Sequence, residues 1–402
     1  MTLKIYNNHK LNIFEFHIVN LLAGFSLILM IPHFFGDFDY RYIGYPYKIF
    51  TFLISFYIIY LNYDKKWNYK ITLVTLFFFI YFIRIVYDLY ILNIDYTRKP
   101  YEYVATYIAS TLIPAISVFY LDEKKINWRK VLLYTYFCFC FFASINILFS
   151  DFVGNESRSS GITPMWPIGF GQTGTTLIIL SIFVYNLFKK NLYKILVICS
   201  SFLGLIIIVM SASKGPLLSL LFALVIYLFT IGIPNIFKNI LFIIMFLALA
   251  ILAWKTHTVH IVERITQSIQ TQDPSTLERL EILNQTLINI KTDPLLGHSF
   301  LIQTAQLDSY YPHNLLLEAF MTTGIIGGIL FLVINFIGLS EVKKILHDHK
   351  NMWIVFIFIQ FFVQTFLSFS LYSSNYYWAL LMMIFLVYSS KKTNSYPDIS
   401  SK

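Results

Sequence analysis

Charge is scarce in this chain. Of its 402 residues only 13% are Asp, Glu, Lys or Arg, while 57% are hydrophobic. An ordinary soluble domain carries about 25% charged residues, so that class is excluded. Cysteine is scarcer still. Cys138, Cys140 and Cys199 are the three, each inside an apolar run, so no disulfide framework is available to the connecting segments. There is no zinc-ligand spacing, no phosphate-binding P-loop and no nucleophile elbow. No small-residue cleavage site follows the first apolar run, and more runs come after it, so a cleavable signal peptide is not expected. No repeat and no stretch of soluble composition interrupts the chain, which reads as a single integral membrane domain over residues 1–402.

What the chain has instead is a series of apolar runs of about 20 residues, each long enough to cross a bilayer. The pattern predicts an all-α polytopic membrane protein of about twelve spans. They lie at roughly 11–31, 46–62, 70–91, 103–121, 130–149, 168–188, 192–212, 215–231, 236–254, 314–340, 352–370 and 374–390. The net charge is +9, but its placement argues against a nucleic-acid partner. Lys65, Lys66 and Lys70, then Lys124, Lys125, Arg129 and Lys130, then Lys189, Lys190 and Lys194, then Lys343, Lys344 and Lys350 occupy alternate connections, and Lys391 and Lys392 close the last span. This positive-inside pattern puts both termini in the cytoplasm and makes the 255–313 segment extracytoplasmic.

That segment, between the ninth and tenth spans, is the one long connection. It holds His257, His260, His298 and His313, four of the nine histidines. Long, ionisable, non-repetitive loops tend to carry function. Ile261, Ile265 and Ile269 recur at four-residue spacing, predicting a short amphipathic helix that Asp273-Pro274 breaks. Ser275-Thr276-Leu277-Glu278 has the form of a capping box for a second helix to about Ile290. Leu277, Leu280, Leu283 and Leu287 form its apolar stripe, with Glu278, Glu281, Gln285 and Asn289 opposite, and the two helices are expected to lie over the membrane domain by their apolar faces.

Several ionisable residues can carry chemistry. His313 sits in Tyr311-Pro312-His313-Asn314, where a polar segment re-enters an apolar span. A neutral imidazole there can accept a proton from an attacking hydroxyl. Arg279 borders the leucine stripe of the second loop helix. Its stem can pack while its guanidinium binds phosphate oxygens in bidentate fashion, although an ordinary surface pairing with Glu278 or Glu281 would equally explain it. Lys214, in Ser211-Ala212-Ser213-Lys214-Gly215-Pro216, is a cation at headgroup depth or a lysine snorkelling from a helix end. Arg84 and Asp88 fall four residues apart inside the third span, which suits a structural bridge as well as a substrate contact. Glu318, a turn into the tenth span, could orient a neighbour or bind a substrate hydroxyl. Asp37-Phe38-Asp39 offers two carboxylates, which alone hold a hard cation poorly, so the site is read as free of metal.

These motifs together resemble the bacterial O-antigen ligase and polymerase superfamily. The similarity rests on Ser-x-Ser-Lys-Gly at 211–215, the loop helix with Arg279 upstream of Pro294-Leu295-Leu296-Gly297, and Pro312-His313-Asn314 leading into Thr323-Gly324-Ile325-Ile326-Gly327-Gly328. The stretch from Arg158 to Gly171 is also similar, whereas the first 150 residues match in topology alone. Where the superfamily usually has arginine in the Ser-x-Ser turn this chain has Lys214, which keeps the charge and gives up the fork geometry.

The resemblance implies a metal-independent, inverting glycan transferase without cofactor. It would act on undecaprenyl-diphosphate-linked glycan at the periplasmic face of the bacterial inner membrane. Lys214 and Arg279 would stabilise charge on the departing diphosphate, and His313 would take the acceptor proton. Arg84, Asp88, Arg264, Asn314 and Glu318 are the further substrate-binding candidates. Membrane lipid and a chain-length regulator protein are the other implied partners. Tyr-Pro-His-Asn before Leu-Leu-Leu-Glu favours a repeat-unit polymerase. The alternative is a ligase that moves finished polymer onto lipid A-core. A flippase-type transporter would require repeat symmetry and a charged central cavity.

Overall fold

The computed structural model describes residues 10–35, 41–149, 167–231, 274–303, 309–346, 348 and 350–394. Among them are twelve helical segments and no sheet beyond one isolated bridge. The first four are α1 (Ile13–Phe34), α2 (Arg41–Leu61), α3 (Tyr69–Ile91) and α4 (Pro100–Phe119). There follow α5 (Trp128–Phe149), α6 (Pro167–Tyr185), α7 (Asn191–Ser211) and α8 (Lys214–Ile231). The last four are α9 (Pro274–Thr292), α10 (Leu315–Ile345), α11 (Met352–Thr365) and α12 (Asn375–Asn394). Eight of these, α1 to α7 and α10, are long and apolar enough to cross a membrane, and α8, α11 and α12 are shorter apolar helices. The chain is an all-α, multi-pass membrane protein.

Eleven of the expected spans coincide with these helices, and the ninth, 236–254, lies outside the described residues. So do Asp37 and Asp39, Arg158, the first loop helix with His257 and His260, and Arg264. The expected span at 352–370 stops early. Its helix ends at Thr365 and the chain turns, with Phe369 in the left-handed region at φ 76°. The tenth runs longer than expected, to Ile345.

Local chemistry sets the starts of these helices. Asn12 and Glu15 form a reciprocal capping box at the head of α1. Asn68 caps α3 through Lys70 and Ile71 N–H, and Pro100 opens α4, where its missing N–H costs nothing. The helices then pack around an aromatic core in which Phe77, Phe78, Phe331 and Trp378 are linked by ring contacts. Lipid is as apolar as leucine, so association between spans rests on close fit and on polar contacts. Both are visible. Gly174 of α6 and Gly204 of α7 bring the two backbones so close that a Cβ on either would meet the other's carbonyl. Gln172 of α6, Gln360 and Gln364 of α11 and Thr176 form a buried amide–hydroxyl cluster, with Gln172 Nε2 to Gln364 Oε1 at 2.6 Å and Gln360 Nε2 to Gln172 Oε1 at 2.6 Å.

α10 has a break that positions the site. Gly324 leaves helical geometry at φ 64°, ψ −165°. Beyond it, Ile325–Ile345 is by itself about 20 residues, a bilayer's worth. Lys343 and Lys344 mark one end of this helix and His313 the other. The two ends of the bundle are called the lysine end and the site end below.

Candidate active site at the broken helix

The site is assembled from two segments that are separate motifs in the sequence. Pro294-Leu295-Leu296-Gly297-His298 docks against the break in α10. Pro294 O accepts from Ile325 N–H at 2.8 Å, and Met321 O accepts from His298 N–H at 2.8 Å. The groups that the break frees from the helix ladder are thus satisfied by the loop. Gly297 (φ 85°) and Gly324 (φ 64°) face each other so closely that a Cβ on Gly297 would strike the Thr322 carbonyl, and one on Gly324 the Leu295 carbonyl. Glycine is required at both for conformation and for space.

Arg84 and Asp88 of α3 lock this loop from the other side. Arg84 donates through Nη1 to Gly297 O at 2.9 Å and through Nη2 to His298 O, while its Nε lies 2.8 Å from Asp88 Oδ1. Asp88, fully buried, accepts from Phe300 N–H at 2.5 Å through Oδ2. A π-helical turn over Tyr87–Ile91 carries Asp88. The pair is therefore more than a self-contained bridge, because it clamps residues 297–300 onto the third span. Further on, Ile302 and Tyr310 form an antiparallel bridge, and Thr97 N–H donates to Ser309 Oγ at 2.7 Å. These contacts lead the chain back into the start of α10.

There Asn314 is the N-cap, its side-chain oxygen accepting from Leu316 and Leu317 N–H, both at 3.1 Å. His313 stands just outside the helix in the left-handed region, φ 56°. That is a strained place for a residue other than glycine. Its ring packs on Tyr311, centroids 4.4 Å apart, and its Nδ1 is buried without a partner among the described residues. Burial, and then the positive charge of Arg279, pull the imidazole down to about 4, so it is neutral near pH 7. Tyr311 is pushed up to about 12 by burial and the Glu318 carboxylate, against the opposing pull of Arg98 and Arg279.

Glu318 is fully buried and occupied. It accepts from Tyr81 Oη at 2.7 Å, Ser370 Oγ at 2.7 Å and Leu371 N–H at 3.1 Å. Its carboxylate ties α10 to α3 and to the α11–α12 turn, directly beneath the Tyr311–His313 stretch.

α9 lies at the site end with Arg279 exposed on it. Among the described residues Arg279 makes no ion pair, and Glu278 instead accepts the hydroxyl of Tyr310. Two expectations for this helix need correction. It begins at Pro274, so Ser275 is inside its first turn and is not its cap. It also packs by Ile282, Thr286 and Asn289, with Leu277, Leu280, Leu283 and Leu287 exposed. Ile282 joins Ile302 and Met321 in a small core of its own. Lys214 opens α8 at the same end, exposed, after a left-handed Ala212 at φ 42°. Its neighbour Gly215 abuts the Gln364 amide. Lys214 is not among the groups that act on His313 or Tyr311.

One cation was not anticipated. Arg98, in the short connection between α3 and α4, acts electrostatically on Tyr311 and Tyr372. The available signal was its position, since Arg98-Lys99 is a basic pair on the side where the charge pattern otherwise places few cations.

The described residues thus bring the Arg279 charge to bear on a neutral imidazole whose buried Nδ1 lacks a partner among them, next to a polar loop clamped over membrane spans. The model of the O-antigen ligase family matches residues 199–332, a third of the chain. That stretch runs from within α7 through Lys214, Arg279 and His313 to past the break in α10, so the similarity covers the motifs of the second half of the chain. A comparison with curated proteins finds no match.

Proposed function

We propose that the protein transfers glycan from a polyprenyl-diphosphate carrier to an acceptor hydroxyl at the outer face of the bacterial inner membrane, as an O-antigen ligase. The observation that carries this reading is His313, held out of its helix with a buried, unpartnered Nδ1 beside Arg279, within the stretch matched by the ligase family. The acceptor hydroxyl attacks the anomeric carbon, a new glycosidic C–O bond forms, and the bond from that carbon to the diphosphate oxygen breaks. His313 takes the hydroxyl proton, and the electron pair leaves with the diphosphate. Arg279, with Lys214 and Arg264, balances the charge that grows on the phosphates. Attack opposite the leaving group inverts the anomeric centre. Arg84, Asp88, Asn314 and Glu318 position this machinery through the contacts above.

The second reading is a repeat-unit polymerase, favoured by Tyr311-Pro312-His313-Asn314 running into Leu315-Leu316-Leu317-Glu318. The matched family's description supports the ligase. The lipopolysaccharide of a deletion strain separates the two. Bare core with lipid-linked polymer accumulating is expected for a lost ligase. Core bearing one repeat unit would select the polymerase, and an unchanged profile would sink both.

A further inference from the structure

At the lysine end, about 20 Å along α3 from Arg84, the bundle has a cavity of about 90 Å³. Its walls are of two kinds. Lys65, Lys66, Lys70, Asn68 and Ser389 supply polar groups, and Ile71, Phe119, Met382, Phe385 and Leu386 an apolar side. Lys70 is buried, ion-paired with Glu341 of α10, with its ammonium 4.7 Å from the Tyr388 ring. Lys65 donates to Phe119 O at 2.5 Å and Leu121 O at 3.0 Å, which leaves one of its three N–H groups unused. Lys66 is exposed and has no partner among the described residues. Against these three cations stand Glu341 and, acting on Lys65 from the connection between α4 and α5, Asp122, which is itself paired with Lys125 at 3.2 Å. Among the described residues the cavity therefore keeps an uncompensated positive charge, that of Lys66. Burial correspondingly pulls Lys65 below the usual lysine range, a cost that a bound anion would offset.

We propose that this cavity binds the phosphodiester of an anionic phospholipid from the leaflet at the lysine end. Its size suits a compact phosphate group, and its mixed walls suit a ligand that is anionic at one end and apolar at the other. A free anion would gain nothing from Ile71, Met382 or Leu386. The surrounding surface is also that of a membrane interface, because Tyr63, Trp67 and Tyr69 are exposed on the same connection. Basic recesses between spans are a recurring solution for phosphate headgroups.

The test uses the full-length protein in detergent, with retained lipid read by native mass spectrometry and melting followed in parallel. Phosphatidylglycerol, phosphatidylcholine and inorganic phosphate are the three probes. The wild type should retain phosphatidylglycerol and melt higher with it, and respond little to the other two. Lys66→Glu, at an exposed position without a partner, should still fold and lose phosphatidylglycerol about tenfold. Lys190→Glu, at the same end outside the cavity, should retain it. Equal retention of phosphatidylcholine, a melting shift with inorganic phosphate alone, wild-type retention by Lys66→Glu, or an equal loss in Lys190→Glu would each overturn the proposal.

Discussion

His313 and Glu318 are five positions apart and differ in what remains available on each. Both Glu318 oxygens are engaged by Tyr81, Ser370 and Leu371, whereas His313 Nδ1 has no partner among the described residues and its ring is neutral at pH 7. A base with its pKa near 4 is deprotonated throughout the neutral range. The transfer rate should therefore hold steady down to about pH 5 and fall with an acid limb near 4, the range in which His313 gains its proton. An ordinary exposed histidine would place that limb near 6.5. His313→Ala should cut the rate about 10²–10⁴-fold with expression intact and abolish the limb. A limb near 6.5, or near wild-type transfer by His313→Ala, would remove this residue as the base. The same shift has a stability consequence. Between about pH 6.5 and 4 the unfolded chain takes up a proton that the folded site resists, so stability declines as pH falls through that window. His313 was legible as a candidate because its residue type and boundary position are in the sequence. The engagement of Glu318 was not, because its partners are 237 and 52 residues away.

The elements show where a linear reading succeeds and where it stops. Spans were legible because length and hydropathy are local, and most helix ends fall within a few residues of the expected ones. The Pro294–Gly297 and Thr323–Gly328 motifs were legible singly, but their docking was not, since no local pattern says that two glycines will face each other. α9 was read inside out. A leucine stripe marks the buried face of a soluble helix. Next to a bilayer that inference fails, because lipid and protein are equally apolar neighbours and polar contacts drive helix packing. Here Thr286 and Asn289 face protein and the leucines do not. The break in α10 makes its own prediction. Gly324→Ala forces a Cβ into the Leu295 carbonyl at a backbone geometry near-exclusive to glycine, at a cost of about 1–3 kcal/mol or more. Gly169→Ala adds a Cβ with nothing within 4 Å. Melting of the purified variants should show a clear drop for Gly324→Ala and none for Gly169→Ala. Equal melting would mean that the loop does not rest on the break as described.

Across the whole molecule the two ends differ in kind. The site end gathers Arg279, His313 and the clamped loop, and the lysine end gathers Lys65, Lys66, Lys70, Lys343 and Lys344. α3 and α10 run between them. Arg84 and Lys70 sit at opposite ends of α3, and each anchors α10 or the loop docked on it. From this polarity the positive-inside rule predicts that the site end faces outside. Gln303, exposed on the loop at the site end with its amide on Asp95 O at 2.8 Å, and Asn191, exposed at the start of α7, test it. In a background with Cys138, Cys140 and Cys199 replaced, a membrane-impermeant maleimide should label Gln303→Cys in intact spheroplasts and Asn191→Cys only after lysis. The reverse pattern would put His313 and Arg279 in the cytoplasm. There the acceptor side of the proposed transfer is absent, and the lysine cavity would face the wrong leaflet. Labelling of both from outside would mean an even number of crossings between them, and the arrangement of α8 and the 236–254 span would have to be redrawn before either site could be assigned a face.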